Sequence, residues 1–378
     1  MVQAAYLHIP FCEQICHYCD FNKVFFQGQP VEEYLQAMDT ELRNTVESHP
    51  PQNLKTIFVG GGTPTVLTMK QLEQFLTSIN QYLLPRQPNL EFTFEANPGD
   101  LPKEKLQLLA DAGVNRISFG VQTFDDQLLE KIGRTHRRKD VFQTIEFAKE
   151  VGFKNISIDL MYALPTQTLE SFKDSLDIAF SLEVEHFSAY SLIIEPKTVF
   201  YNLMRRGKLH LPGEENEACM YELLLEEMSK HNYSQYEISN FAKKGFESQH
   251  NLTYWNNEEY YGIGAGAHSY IGGKRISNAG PIKKYMSNIA ETGFPYVEIN
   301  QISVKEKMEE ELFLGLRKIE GVSISHFYEK FGKSIFDIFQ EQINEQIKKG
   351  LIEESNGFIR LTHQGKFLGN EVFQAFLL

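Results

Sequence analysis

Six times between residues 4 and 231 the chain alternates a short run of strand character with a longer amphipathic stretch. No other feature restricts the fold as much, because strands joined through helices run parallel and a parallel sheet needs those helices to cover it. The strand runs are Ala4 to Ile9, Thr56 to Val59, Glu91 to Glu95, Arg116 to Val121, Ile156 to Leu160 and His186 to Leu192. Helical periodicity follows each, at about 31–48, 69–84, 102–112, 139–151, 168–181 and 214–231, with start signals at Thr68 and Pro102. The class is α/β. Six such units either close most of a barrel or form an open doubly wound sheet, and periodicity fits both. In either case ligands collect where strands hand over to helices. The residues there are Gly60-Gly-Gly-Thr-Pro64 after the second strand, Glu95 and Asn97 at the third, Gln122 at the fourth and Asp159 in the fifth.

The alternation stops near residue 235. Tyr236 to Arg275 is rich in aromatic residues, Gly, Asn and His, a pattern of short antiparallel strands and loops. Helical periodicity then returns at about 281–292, 304–317, 323–331 and 335–348, ahead of a hairpin pattern, Leu351 to Leu361, turning at Asn356-Gly357. The expected organisation is a domain over 1–235, a strand-and-loop region over 236–280 and a smaller helical, winged-helix-like domain over 281–378 suited to packing or partner contact.

Composition narrows the partners. A net charge of -13 in 378 residues argues against nucleic acid, since neutralising many phosphates needs a basic surface. The basic stretch Lys131 to Lys139 reads as a solvated face, apart from Arg134. No apolar run reaches the roughly 18–20 residues of a membrane span, so the chain is not expected to be transmembrane, and Met1 to Tyr6 lacks signal-peptide character. Of four cysteines, three are clustered and Cys219 stands far away, which is no disulfide framework. A cytoplasmic location is expected, where a reducing medium keeps thiols free.

The clustered cysteines, Cys12, Cys16 and Cys19, are spaced C-x3-C-x2-C. Three thiolates on one loop can hold three corners of a four-iron, four-sulfur cluster and leave the fourth iron open. The competing reading is a zinc knuckle completed by His8, His17 or Cys219. Phe11, Tyr18 and Phe21 surround the loop, either as a shield for a cluster or as ordinary core. Glycines at 60–62, directly after a strand, allow close backbone approach to a ligand; alone they also fit a tight turn.

Taken together, the cysteine loop, the Gly-Gly-Gly-Thr-Pro segment and the six βα units resemble the radical S-adenosylmethionine (SAM) superfamily. Tyr6-x-His8-x-Pro-Phe-Cys12, Gly60 to Pro64, Glu95-Ala-Asn-Pro98, Ser118-Phe-Gly-Val-Gln122, Gly133-Arg134 and Ile158-Asp159-Leu160 match, in order, the motifs of the anaerobic coproporphyrinogen oxidase family. The resemblance implies a partial (βα)6 barrel and a four-iron, four-sulfur cluster on Cys12, Cys16 and Cys19. It further implies SAM chelating the open iron and cleaved to a 5'-deoxyadenosyl radical. Tyr6, Gly62 and Glu95 fall where that SAM is contacted. Tyr18, Thr63, Pro64, Gln122, Arg134 and Asp159 fall where the family's oxidase contacts a second SAM.

Two departures separate the chain from the oxidases: Phe21 stands where they carry a further cysteine, and only eleven residues precede Cys12. The chain is closer to the family's heme-chaperone branch, whose H-N-x-x-Y-W motif, associated with heme binding, matches His250-Asn251-Leu-Thr-Tyr254-Trp255. By this resemblance His250 is the candidate heme ligand, with His8, His17, His186 and His268 as alternatives, and Tyr254 and Trp255 offer flat apolar faces. The implied function is receipt of heme and its transfer to an acceptor protein, with a reductant such as a flavodoxin or ferredoxin serving the cluster. The alternative is oxygen-independent oxidation of coproporphyrinogen III.

Overall fold

Six strands carry out the expected alternation: β1 (Ala4–Ile9), β2 (Leu54–Gly61), β3 (Arg86–Ala96), β4 (Arg116–Gln122), β5 (Ile156–Tyr162) and β6 (His186–Ser191). In the computed structural model, which describes residues 2–99 and 101–377, each is hydrogen-bonded in parallel to the next. The order runs without the reversal that a doubly wound sheet requires, which decides for the partial barrel. All seven residues of β4 are buried, as expected for a strand covered on both faces.

The covering helices are Val31–Ser48, Met69–Tyr82, Lys103–Asp111, Arg138–Val151, Leu169–Ser181 and Glu214–Lys230. Thr68 caps the second: its hydroxyl accepts from the Gln71 N–H while the Gln71 side chain returns to the Thr68 N–H. Pro102 caps the third without a side-chain bond. Three further short helices, Asp126–Lys131, Val199–Arg205 and Gln249–Trp255, span too few residues to show a periodicity.

The barrel stays open, and the chain beyond it extends both edges. β7 (Ser234–Glu237) and β8 (Asn240–Ala242) add to β6, with β8 antiparallel to it. At the other edge β9 (Tyr260–Ile263) pairs in parallel with β1 and is followed by antiparallel β10 (His268–Ile271), β11 (Lys274–Asn278) and β12 (Tyr296–Gln301), completing a 12-stranded sheet. The expected boundary at 235 therefore cuts β7. Tyr261, Ile263, Ile271 and Ile276, together with Ile282, Tyr285 and Ile289 of the helix Ile282–Thr292, join the barrel's own core.

A second core starts near residue 304, later than the expected 281. Leu312, Phe327, Phe339, Ile343, Ile359 and Phe373 fill it. They come from the helices Val304–Gly315, Ile324–Phe331, Ile335–Lys348 and Gly369–Gln374 and from a small sheet of β13 (Val322–Ser323), β14 (Ile352–Ser355) and β15 (Phe358–Leu361). Asn356 and Gly357 turn the β14–β15 hairpin at φ 53° and 82°. Three helices followed by this wing give the winged-helix-like shape. The unit meets the barrel where Glu237 bridges Lys318 and where the Arg317 guanidinium lies 5.1 Å from the Trp255 ring centre. Among the described residues no helix is long and apolar enough to cross a membrane.

Candidate functional site

The loop that leaves β1 is closed on itself before it carries any chemistry. Phe11–Cys12 pairs in parallel with Val24–Phe25, and the N–H groups of Val24 and Phe26 reach the carbonyls of Pro10 and Cys12, both at 2.8 Å. Asn22 anchors the loop: its amide donates to the carbonyls of Ala265 and Gly280 at 2.8 and 3.0 Å. His8 meets the Asn22 carbonyl through Nε2 at 2.7 Å and Tyr6 through Nδ1 at 2.9 Å. His17 engages the Lys131 carbonyl at 2.8 Å, and both nitrogens of His186 are taken by Ser157 and Tyr236. These histidines hold structure together, whereas His268 is exposed.

Cys12, Cys16 and Cys19 are free thiols bordering a cavity of about 390 Å³ at the carboxyl end of the barrel. Among the described residues no three His, Cys, Asp or Glu side chains converge as they would on a single metal ion. All three thiols border the cavity, which leaves ligand-sized room in front of them. Gly62 makes that room: a Cβ on it would stand 2.9 Å from Cys12 Sγ and 2.7 Å from the Phe11 carbonyl. Gly61 adopts φ +112°, and a Cβ on it would stand 2.5 Å from the His8 ring. The glycine run is therefore forced by close packing around the cysteine loop.

Tyr18, Gly62, Thr63, Glu95, Gln122, Arg134 and Asp159 line the same cavity as the thiols, together with Asn97. Tyr6 is hydrogen-bonded to His8, and Pro64 opens the buried turn Pro64–Val66; neither is on the cavity wall. Gln122 adopts φ +69° at a bulge opposite β5, a strained conformation of the kind that re-aims side chains at sites. The cavity also takes in Tyr190, Ser191 and Ile193 at the end of β6. Extending the handover rule to the sixth strand finds them.

Charge in the cavity is unusual. Burial raises the Glu95 carboxyl to about 8, with Asp159 adding repulsion, while the Gly61 N–H donates to Glu95 Oε2 at 3.1 Å. Asp159 is also raised by burial, against hydrogen bonds from Ser188 and Ser118. Burial pushes the Cys12 thiol up to about 11 and raises Cys19 too. Arg134 keeps its charge despite burial because Tyr18, Cys16 and Asp159 hold it. Acceptors and two cations, Arg134 and Lys23, therefore share the cavity wall, a combination suited to a zwitterionic ligand with hydroxyls.

A family model described as the Radical SAM superfamily matches residues 6–179, and one described as the HemN C-terminal domain matches 302–368. The protein named heme chaperone HemW of Bacillus subtilis is 58% identical over 376 residues, covering 100% of this chain and 99% of its own. The Escherichia coli protein of the same name is 34% identical over 98% of this chain and 97% of its own. The chain belongs to the HemW branch of the radical SAM superfamily. In fold it matches the coproporphyrinogen III oxidase HemN of E. coli at a TM-score of 0.87, with 22% identity, over 99% of this chain and 90% of that one.

The HemW-type motif helix, Gln249–Trp255, lies away from the thiols, against the amino-terminal half of β2. His250 is 1% exposed; its Nδ1 meets Thr56 Oγ1 at 2.8 Å, its Nε2 meets the Tyr254 hydroxyl at 2.9 Å, and its ring stacks on Phe58. Burial, aided by Arg116, depresses it to about 3, so it is neutral with both nitrogens engaged. The expectation that His250 meets heme iron finds no open nitrogen here, because the ring is used to seat the helix.

Two other motif side chains do reach a ligand-sized space. Tyr254 and Trp255 border a cleft of about 410 Å³ together with Tyr260, Arg275, Glu310 and Phe313. It lies between the sheet extension and the helix Val304–Gly315. The Trp255 indole N–H and the Asn257 amide nitrogen are buried there without hydrogen-bond partners. Arg275 donates to Glu310 at 2.8 Å and sits 4.0 Å from the Tyr270 ring centre.

Proposed function

We propose that this HemW-type chain binds heme at the aromatic cleft and passes it to an acceptor protein, using a radical SAM scaffold with a cluster at the other site. The observation that carries the reading is the cleft itself: two residues of the heme-associated motif and Phe313 supply flat apolar faces beside one arginine. A porphyrin is a planar apolar disc with anionic propionates, and an arginine fork matches a carboxylate. Likeness over the whole length to proteins named heme chaperone supports it.

At the barrel mouth, Cys12, Cys16 and Cys19 would hold three irons of a four-iron, four-sulfur cluster. When bound, such a cluster supplies one electron at an iron left open to SAM. The chain's own part is to position. Gly61 and Gly62 let the cysteine loop pack close beside the cavity, Glu95 and Asp159 accept hydrogen bonds from amino and hydroxyl groups, and Arg134 draws a carboxylate. The chain works in the cytoplasm, with a one-electron donor such as a flavodoxin or ferredoxin.

The test is heme titration after anaerobic reconstitution with iron and sulfide. A Soret band develops at micromolar heme, and Trp255→Ala weakens binding roughly tenfold, the loss of one aromatic face. No Soret band with the intact chain ends the chaperone reading.

A further inference from the structure

Four hydrogen bonds form a chain that starts and finishes on the cysteine loop. Arg134 Nη2 donates to the hydroxyl of Tyr18, between Cys16 and Cys19, at 2.9 Å. Its Nη1 donates to Asn97 Oδ1 at 2.7 Å. Asn97 Nδ2 donates to Thr63 Oγ1 at 3.0 Å, and Thr63 Oγ1 donates to Cys12 Sγ at 3.8 Å.

The direction of every bond is fixed from the arginine outward. A guanidinium has donors only, so the Asn97 oxygen must face it and the Asn97 nitrogen must face Thr63. The Thr63 oxygen then accepts, and its single proton is left for the sulfur. Thr63 stands where it could cap the turn Pro64–Val66, yet its side chain makes no capping bond. Its hydroxyl is thus committed to the thiol, at a site where both Thr63 and Cys12 are 7% exposed and water competes little.

We propose that Thr63 tunes the reduction potential of the cluster through Cys12, and that Asn97 and Arg134 are positioning residues that aim its proton. A hydrogen bond donated to a cluster sulfur disperses negative charge and favours the reduced state, which raises the potential. The inference rests on the cluster proposed above.

The experiment is an anaerobic redox titration of the reconstituted full chain without SAM, followed by electron paramagnetic resonance, with iron and sulfide counted in each variant. Thr63→Val and Asn97→Leu shift the potential to more negative values at unchanged iron content, and Thr63→Ser restores the wild-type value. Thr63→Val combined with Asn97→Leu shifts it no further than Thr63→Val alone, because the amide acts through the hydroxyl. Wild-type potentials in both Thr63→Val and Asn97→Leu, with four irons each, overturn the proposal while leaving the cluster in place. A wild-type chain that takes up no four-iron cluster overturns the cluster reading and this inference with it.

Discussion

The carboxylate of Glu91, on β3, accepts the backbone N–H of His250 at 3.1 Å. It also accepts from the Gln249 N–H at 2.9 Å and the Ser248 hydroxyl at 3.2 Å, so one anion caps the amino terminus of the motif helix. The helix is therefore bolted to the barrel at its start and by the His250 ring one residue into it.

From this seating, His250→Ala is expected to lower stability by about 2–4 kcal/mol, the cost of a cavity plus the orphaned Thr56 and Tyr254 hydroxyls. Heme still binds, because the cleft is formed by other side chains. Urea unfolding and a Soret titration on the same sample check both halves. A well-folded variant that no longer takes heme would return His250 to the ligand role.

Glu41 predicts a pH dependence. It is fully buried and receives the Gly264 N–H at 2.8 Å, the Asn278 amide at 2.6 Å and the Tyr285 hydroxyl, joining the helix Val31–Ser48 to the sheet extension. Burial raises its carboxyl from 4.5 to about 7. The unfolded chain releases this proton first, so the Glu41 contribution is full below about pH 4.5 and declines as pH rises to about 7, by about 3 kcal/mol in total. Denaturation midpoints across pH 4.5–7.5 should fall more steeply for the wild type than for Glu41→Gln. Equal slopes would mean that Glu41 is already ionised.

The sequence made the barrel legible because its signals are local. Strand β4 alternates Ile117, Phe119 and Val121 with Arg116, Ser118 and Gln122, a period of two that marks a strand; Thr68 announces its helix by the capping residue Gln71 three positions on. The cysteine spacing and the handover rule likewise found the three thiols, Glu95, Asn97, Gln122 and Asp159 on the cavity wall. The edges were not legible: Tyr260 to Ile263 reaches β1 across more than 250 positions, and a four-residue strand carries no record of its partner. His250 shows the same limit. Its motif was recognisable, but that its ring faces Thr56 and Phe58 depends on how the helix lands.

Cys16→Ala separates the two sites. Two remaining thiolates cannot hold three corners of a cluster, so reconstituted iron falls from about four per chain to near zero, with loss of the charge-transfer absorption. Heme uptake at the cleft persists. Simultaneous loss of heme binding, at unchanged far-ultraviolet circular dichroism, would show that the sites are coupled.

Arg275 decides how the cleft recognises its ligand. Its guanidinium donates to Glu310 Oε2 at 2.8 Å and to Asn257 Oδ1 at 3.0 Å, and both partners border the cleft with it. A propionate entering the cleft competes with Glu310 for this fork, and a charge-assisted pair contributes about 1.5–3 kcal/mol. Arg275→Met keeps the length and apolar stem but removes the donors, so heme affinity is expected to drop by roughly 10- to 100-fold. A heme dimethyl ester, which lacks the anions, should bind the wild type and Arg275→Met equally. If the substitution weakens the ester as much as free heme, Arg275 acts through the packing of Tyr270 and Tyr260 and the propionate assignment fails.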